Sequence, residues 1–136
     1  MARVPASEQV VRAFVSNLRN LPKWDRTAKK VTRVGVGQYD VVFKLGKSMP
    51  LSTVRYTVTN ENFGPLLMES TGAYVKTKER VTFEALDPSV TTVVWAAYIE
   101  FTGMAACFAP CLGGMIRGAA ENAQRGLVQY FSENRV

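Results

Sequence analysis

The chain contains no histidine and only two cysteines among its 136 residues. The first absence removes the commonest general base at neutral pH and the commonest zinc ligand together. It also excludes any Ser-His-Asp or Cys-His nucleophilic arrangement within the chain. Cys107 and Cys111 stand one helical turn apart, but two soft ligands do not make a metal site. They are too few for a disulfide framework and are expected as free thiols that behave as small hydrophobes. Neither a metal nor a cofactor is expected. Residues 1–10 carry no apolar run of the signal-peptide kind, which points to a cytoplasmic protein. Low-complexity tracts and internal repeats are absent as well.

What is present is an ordinary globular mixture, 47% apolar and 21% charged, enough for one domain over residues 1–136 with a core of its own. The formal charge is +6, and its location says more than its size. Arg19, Lys23, Arg26, Lys29, Lys30 and Arg33 face a single acid, Asp25, within one short stretch. Such a cluster can attract phosphate groups of a nucleic acid or an anionic membrane. No stacking aromatics interleave the charges, so a solvated surface is expected and a nucleic-acid partner is not.

Apolar spacing then gives the elements. Ser7 is placed to cap a helix carrying Val11, Phe14, Val15 and Leu18. Asn20 and Pro22 suit the start of a short second helix with Trp24, expected to wedge against a sheet. From about residue 30 the period changes to two. Strands are predicted over residues 30–34, 38–45, 51–59, 66–71, 74–86 and 91–101, separated by Gly, Asn, Asp and Pro turn signals. Each of the later strands has one apolar and one polar face, the mark of an antiparallel sheet with one wet side. Leu112, Met115, Ile116, Ala119, Ala123, Leu127 and Phe131 recur at three- and four-residue intervals, so one long helix is expected to cover the dry side. Residues 93–116 carry one charge, Glu100, and are long enough to span a bilayer. Alternation in their first half and breaks at Gly103 and Pro110 favour a strand followed by a helix.

The order helix, short helix, strands and long helix resembles the polyketide cyclase/dehydrase branch of the START-like, Bet v 1-like (SRPBCC) superfamily. Val4-Pro5-Ala6-Ser7-Glu8-Gln9-Val10, Phe14-Val15, Asn20-Leu21-Pro22-Lys23-Trp24-Asp25 and Thr91-Thr92-Val93-Val94-Trp95 carry the resemblance. It implies an α+β helix-grip fold, a curved antiparallel sheet of about six strands wrapped over the C-terminal helix. It also implies a cavity that takes a small hydrophobic molecule. Members usually open with a strand that pairs with the last one. Here only Ala2 to Val4 precede Pro5, so that strand is nearly absent. The edge of the last strand is then expected to be bare, which favours a homodimer formed through it; the alternative is that Ala2 to Ala6 lies along the edge as a stub and the protein is a monomer.

Two motifs are set aside. Gly46-Lys47-Ser48 ends like a phosphate-binding loop, but Val41 stands where that loop needs glycine and no helix follows. Gly35-Val36-Gly37 is a hairpin turn.

Glu79 is the most informative polar residue. Strict alternation sets it beside Val81 and Phe83 on the inward face, where a carboxyl must find a partner or become protonated. The alternatives are a bulge that turns it outward, or a pair with Arg55 or Arg80. Tyr56 and Tyr39 are expected inward as hydroxyl carriers or as core. From the strands, Phe43, Tyr56, Glu79, Val81, Phe83, Trp95 and Ala97 are expected to line the ligand space. From the helix, Ile116, Ala119 and Ala123 complete it. The favoured function is binding of a lipid-like or polyketide-like molecule without turnover. One alternative is a cyclase/dehydratase of the resembled kind, with Glu79 as acid/base and Tyr56 as proton donor. Another is a structural or interaction protein with a filled core.

Overall fold

The computed structural model describes residues 1–44, 50–103 and 109–134. Gly46-Lys47-Ser48 and Cys107 lie outside the described residues, as do the side chains of Cys111, Leu112 and Met115. The elements run β1 (Ala2–Val4), α1 (Glu8–Ser16), a 3-10 turn (Leu18–Asn20), α2 (Leu21–Trp24), β2 (Ala28–Gly35), β3 (Gln38–Phe43), β4 (Ser52–Thr59), β5 (Leu66–Thr71), β6 (Val75–Asp87), β7 (Val90–Phe101) and α3 (Ala109–Glu133). Among the described residues no helix is long and apolar enough to cross a membrane.

The seven strands form one antiparallel sheet in the order β1-β7-β6-β5-β4-β3-β2. The short first strand is therefore real. Ala2, Arg3 and Val4 pair with Val93, Thr92 and Thr91, and the Thr91 hydroxyl donates to the Ala6 carbonyl at 2.8 Å. Three residues serve only the start of β7. Along residues 94–101 its outer edge has no strand partner among the described residues.

Alternation sets the faces as expected. Val54, Tyr56 and Val58 of β4, Leu66 and Met68 of β5, and Val81 and Phe83 of β6 are buried on the inner side. Their neighbours Arg55, Thr57, Arg80 and Glu84 are exposed. On that outer face Arg55 holds Asp40 through two bonds, at 2.8 and 3.0 Å, the register pair of β3 and β4. Ser7 caps α1, its hydroxyl accepting from the Val10 N–H at 3.4 Å. The helix ends one turn earlier than its apolar spacing suggests, because the Asn17 side chain caps the following 3-10 turn by accepting from the Arg19 N–H. Leu18 is buried from that turn instead.

The C-terminal half of α3 is pinned at two places. Phe14 of α1 stacks on Tyr130 at 4.5 Å between ring centroids and meets Phe131 edge-on at 5.0 Å. Beside them α3 crosses the end of α2 so closely that a Cβ on Gly126 would stand 2.0 Å from the Trp24 carbonyl oxygen. No other residue type permits that approach. Gly118, on the same helix, would carry a Cβ into open space. Gly126→Ala should therefore lower stability by about 1–3 kcal/mol through overpacking. Gly118→Ala should instead raise it by up to about 1 kcal/mol through helix propensity. Paired thermal and urea unfolding of the two variants checks the contrast.

Candidate functional site

The inner face of the sheet is built from rows of register partners. One row runs Leu66, Val81, Trp95. The next runs Val58, Met68, Glu79, Ala97. A third runs Tyr39, Tyr56, Ser70, Thr77, Ile99. Pairing of β6 with β7 is unbroken from Val75 to Ala85. No bulge turns Glu79 outward, and it lies on the inner face between Thr77 and Val81. Among the described residues it joins no ion pair, since Arg55 is taken by Asp40.

Burial changes along these rows in an informative way. Val58, Leu66, Met68 and Val81 are buried. Glu79, Thr77, Trp95 and Ile99 are half-buried, and Ala97 is exposed although it faces inward. The inner face thus stays open towards the β6–β7 end. From α3, Phe131, Leu127 and Ala123 are buried, while Ala119 and Ile116 are half-buried. The inward side chains of the helix shrink from Phe131 and Leu127 to alanine at 123 and 119.

The polar groups at this place work on one another. Loss of hydration pushes the Glu79 carboxyl up, from its ordinary 4.5 to about 7. The Trp95 side chain, a pure donor, draws it back, and the charge of Asp25 raises it further. Burial likewise lifts the Tyr56 hydroxyl well above 10, helped by Glu79 and Asp25 and opposed by a hydrogen bond with Ser70. Ser70 and Thr77 share a short hydroxyl–hydroxyl bond. Asp25, which caps α2, is itself pushed up by burial. The Thr27 N–H and hydroxyl, at 2.9 and 2.6 Å from the same Asp25 oxygen, restrain that rise.

Two residues of this group escape sequence reasoning. Asp25 reads as the one acid of a basic stretch, and nothing in the spacing brings it near Glu79. Trp24 does wedge against the sheet as expected, its ring 5.6 Å from that of Trp95. Yet it is only 4% exposed, and its indole N–H is buried with no hydrogen-bond partner among the described residues. Phe43 is half-buried with its ring 6.2 Å from Tyr56. Phe83 belongs elsewhere in part, since it packs under the Arg12 guanidinium at 4.8 Å from the ring centroid. Two surface clefts, one beside Arg19 and Tyr39 and one beside the N-terminus, include none of the expected lining residues.

A family model described as polyketide cyclase / dehydrase and lipid transport matches residues 2–133. The chain belongs to this family. Solved structures of the same fold include a START superfamily protein from Mycobacterium smegmatis, with a TM-score of 0.80 at 15% identity, covering 97% of this chain and 94% of that one. The Zhui aromatase/cyclase from Streptomyces sp. R1128 gives a TM-score of 0.79 at 11% identity, with 96% and 90% covered. A conserved protein from Geobacillus kaustophilus gives 0.77 at 15%, with 96% and 91% covered. Likeness at such identities establishes the fold. A search of curated proteins found no match. Membership of the family makes this a domain of the polyketide cyclase / dehydrase and lipid transport kind.

Glu79 makes a testable demand on stability. With a folded value near 7 and an ordinary one of 4.5, the unfolded chain releases this proton first as pH rises. Stability is therefore undiminished below about 4.5 and falls as pH climbs towards 7, by on the order of 1–3 kcal/mol. Glu79→Gln should abolish that fall and be the more stable protein at pH 8. Denaturant unfolding at pH 5 and pH 8 measures both arms. Equal pH dependence in the two proteins would mean the carboxyl is stabilised by partners.

Proposed function

We propose that the protein binds a small hydrophobic ligand, lipid-like or polyketide-like, between the open inner rows of the sheet and the N-terminal half of α3. One observation carries this reading: a carboxyl with no ion-pair partner among the described residues sits in an apolar row of the inner face, at the end where that face is open. Such a group is a poor choice for a packed core and a good one for orienting the polar end of an apolar molecule. Trp95, Ala97 and Val81 would flank Glu79 on the sheet, with Phe43 and Tyr56 further along. Ile116, Ala119 and Ala123 would form the roof.

A second reading is supported by the same carboxyl. A value near 7 suits proton transfer at neutral pH, and Tyr56 lies one row away. A cyclase/dehydratase would use Glu79 as acid/base and Tyr56 as donor while the walls hold a reactive chain folded. The Streptomyces aromatase/cyclase of the same fold is consistent with this alternative. Binding is favoured, because the polar inventory of the inner face is small and lacks histidine.

Ala119→Trp tests the location. It should fill the space, so that enhancement of a neutral naphthylamine fluorophore is lost while the thermal transition stays within a few degrees. Retained uptake would place the ligand elsewhere. In the same assay Glu79→Gln should keep the fluorophore but weaken a fatty alcohol or other hydroxyl-headed competitor roughly tenfold, the worth of one charged hydrogen bond.

We further propose a homodimer through β7. Its unpaired edge at residues 94–101 carries a single charge, Glu100, and Tyr98 on its outer face is 66% exposed. Exposed edges of this length and composition invite pairing. Sedimentation equilibrium at micromolar concentration should give twice the 15.0 kDa chain mass. Lysines at Val94 and Tyr98 should return it to one chain. A monomer throughout overturns the dimer.

A further inference from the structure

The basic stretch that the ligand reading leaves unused ends in a cleft of about 490 Å³ at the other end of the sheet, beside β2 and β3. Arg12 and Ser16 of α1, Arg19 of the 3-10 turn, Arg33 of β2 and Glu61 of the β4–β5 connection line it. The three arginines have different duties. Arg12 is committed to the fold: it donates to the Gly64 carbonyl at 2.6 Å, faces Glu8 at 3.4 Å and covers Phe83. Arg19 and Arg33 are exposed, and among the described residues neither has a carboxylate within 4.0 Å. Arg33 spends only its Nε on the protein, donating to the Gly35 carbonyl at 3.2 Å. Glu61 is the one acid of the lining.

The same two loops that border the cleft carry the most exposed apolar side chains in this part of the molecule. Val36, at the tip of the β2–β3 turn, is 91% exposed, and Phe63, in the β4–β5 connection, is 76% exposed. The β2–β3 turn is tied to β4, the Val58 N–H donating to the Gly37 carbonyl at 2.8 Å. A Cβ on Gly37 would collide with the Val58 carbonyl at 2.8 Å, so the turn is held where it is. Arg12 fixes the other loop through Gly64. Single exposed hydrophobes are common and mean little. Two of them on braced tips beside two uncommitted guanidiniums match the layering of a lipid–water interface. Apolar tips reach the acyl boundary there, while arginines donate to headgroup phosphates just above it. Lys23, Arg26, Lys29 and Lys30 are exposed as well, and their charge favours an anionic leaflet.

We propose that this end of the molecule docks on an anionic phospholipid surface, with Val36 and Phe63 entering the interface and Arg19 and Arg33 holding lipid phosphates. This is independent of what the ligand space contains.

Co-sedimentation with phosphatidylcholine vesicles, with and without phosphatidylglycerol, tests it on the full chain at low salt. The wild-type protein should sediment with the anionic vesicles only, and lose binding as salt rises. Arg19→Gln with Arg33→Gln should weaken partitioning on the order of twentyfold. Val36→Ser with Phe63→Ser should weaken it roughly tenfold. All four residues lie outside the ligand space, so fluorophore uptake should stay at the wild-type level in both variants, which separates failure of docking from failure of the ligand reading. Equal sedimentation with neutral vesicles, or unaltered binding in either double variant, would overturn the proposal. So would a cleft that takes inorganic phosphate or double-stranded RNA while the vesicles stay free.

Discussion

Where α3 lies on the sheet depends on one contact, the backbone of Gly126 against the Trp24 carbonyl. A helix that approaches another segment this closely can neither roll nor slide without losing the fit. The stacked Phe14 and Tyr130 rings fix its rotation from the other side. With its C-terminal half so held, the helix can bury Leu127 and Phe131 and still leave the smaller residues that precede them unburdened by packing duties. Ala119 and Gly118 are then free to be small. The contact also fixes Trp24, which reaches Trp95, which in turn acts on Glu79. Position of the covering helix and character of the polar group are thus connected through two tryptophans.

Much of this was legible in the sequence, and the reason is the period of two. Alternation in residues 74–86 commits Glu79 to the inner face unless a bulge intervenes, and the β6–β7 register has none there. The Ser7 cap, the strand positions and the amphipathic last helix follow from equally local rules. The bounds of the strands differ from expectation by one or two residues, as they do when ends are set by turns. What stayed hidden depends on distance along the chain. Asp25 lies 54 positions from Glu79, and only the fold brings its charge to bear on that carboxyl. The Ser70–Thr77 bond needs the β5–β6 register, and the orphaned Trp24 N–H needs the three-dimensional packing around it. The brief first strand was visible as a stub, but its pairing with β7 could not be settled by three residues.

The two ends of the sheet divide the chemistry. Towards β6 and β7 the polar groups of the inner face are few and half-buried. Towards β2 and β3 polar groups are exposed, numerous and positive. The Tyr39, Tyr56, Ser70, Thr77 row crosses between them, with Arg33 continuing it beyond Tyr39. Tyr39 and Tyr56 are buried, so the row is a packed seam and not an open channel. The proposed ligand space at one end and the charged surface at the other can therefore be altered separately.

Sequences that specify one fold are consistent at every level, and departures from consistency gather where something besides folding is being satisfied. This chain departs from it three times in one neighbourhood. Glu79 is a carboxyl whose charged form burial disfavours, and the Trp24 N–H is buried without an acceptor among the described residues. Ala97 faces inward and yet remains exposed. A substitution such as Glu79→Leu would answer the first at little steric expense, since the flanking row is already apolar. A polar acceptor near Trp24 would answer the second, and a larger residue at 97 the third. Each of the three repairs closes or neutralises the same space. On the proposed ligand reading all of them stay unmade because that space is kept for a molecule that supplies apolar surface to Ala97 and polar atoms to Glu79 and Trp24.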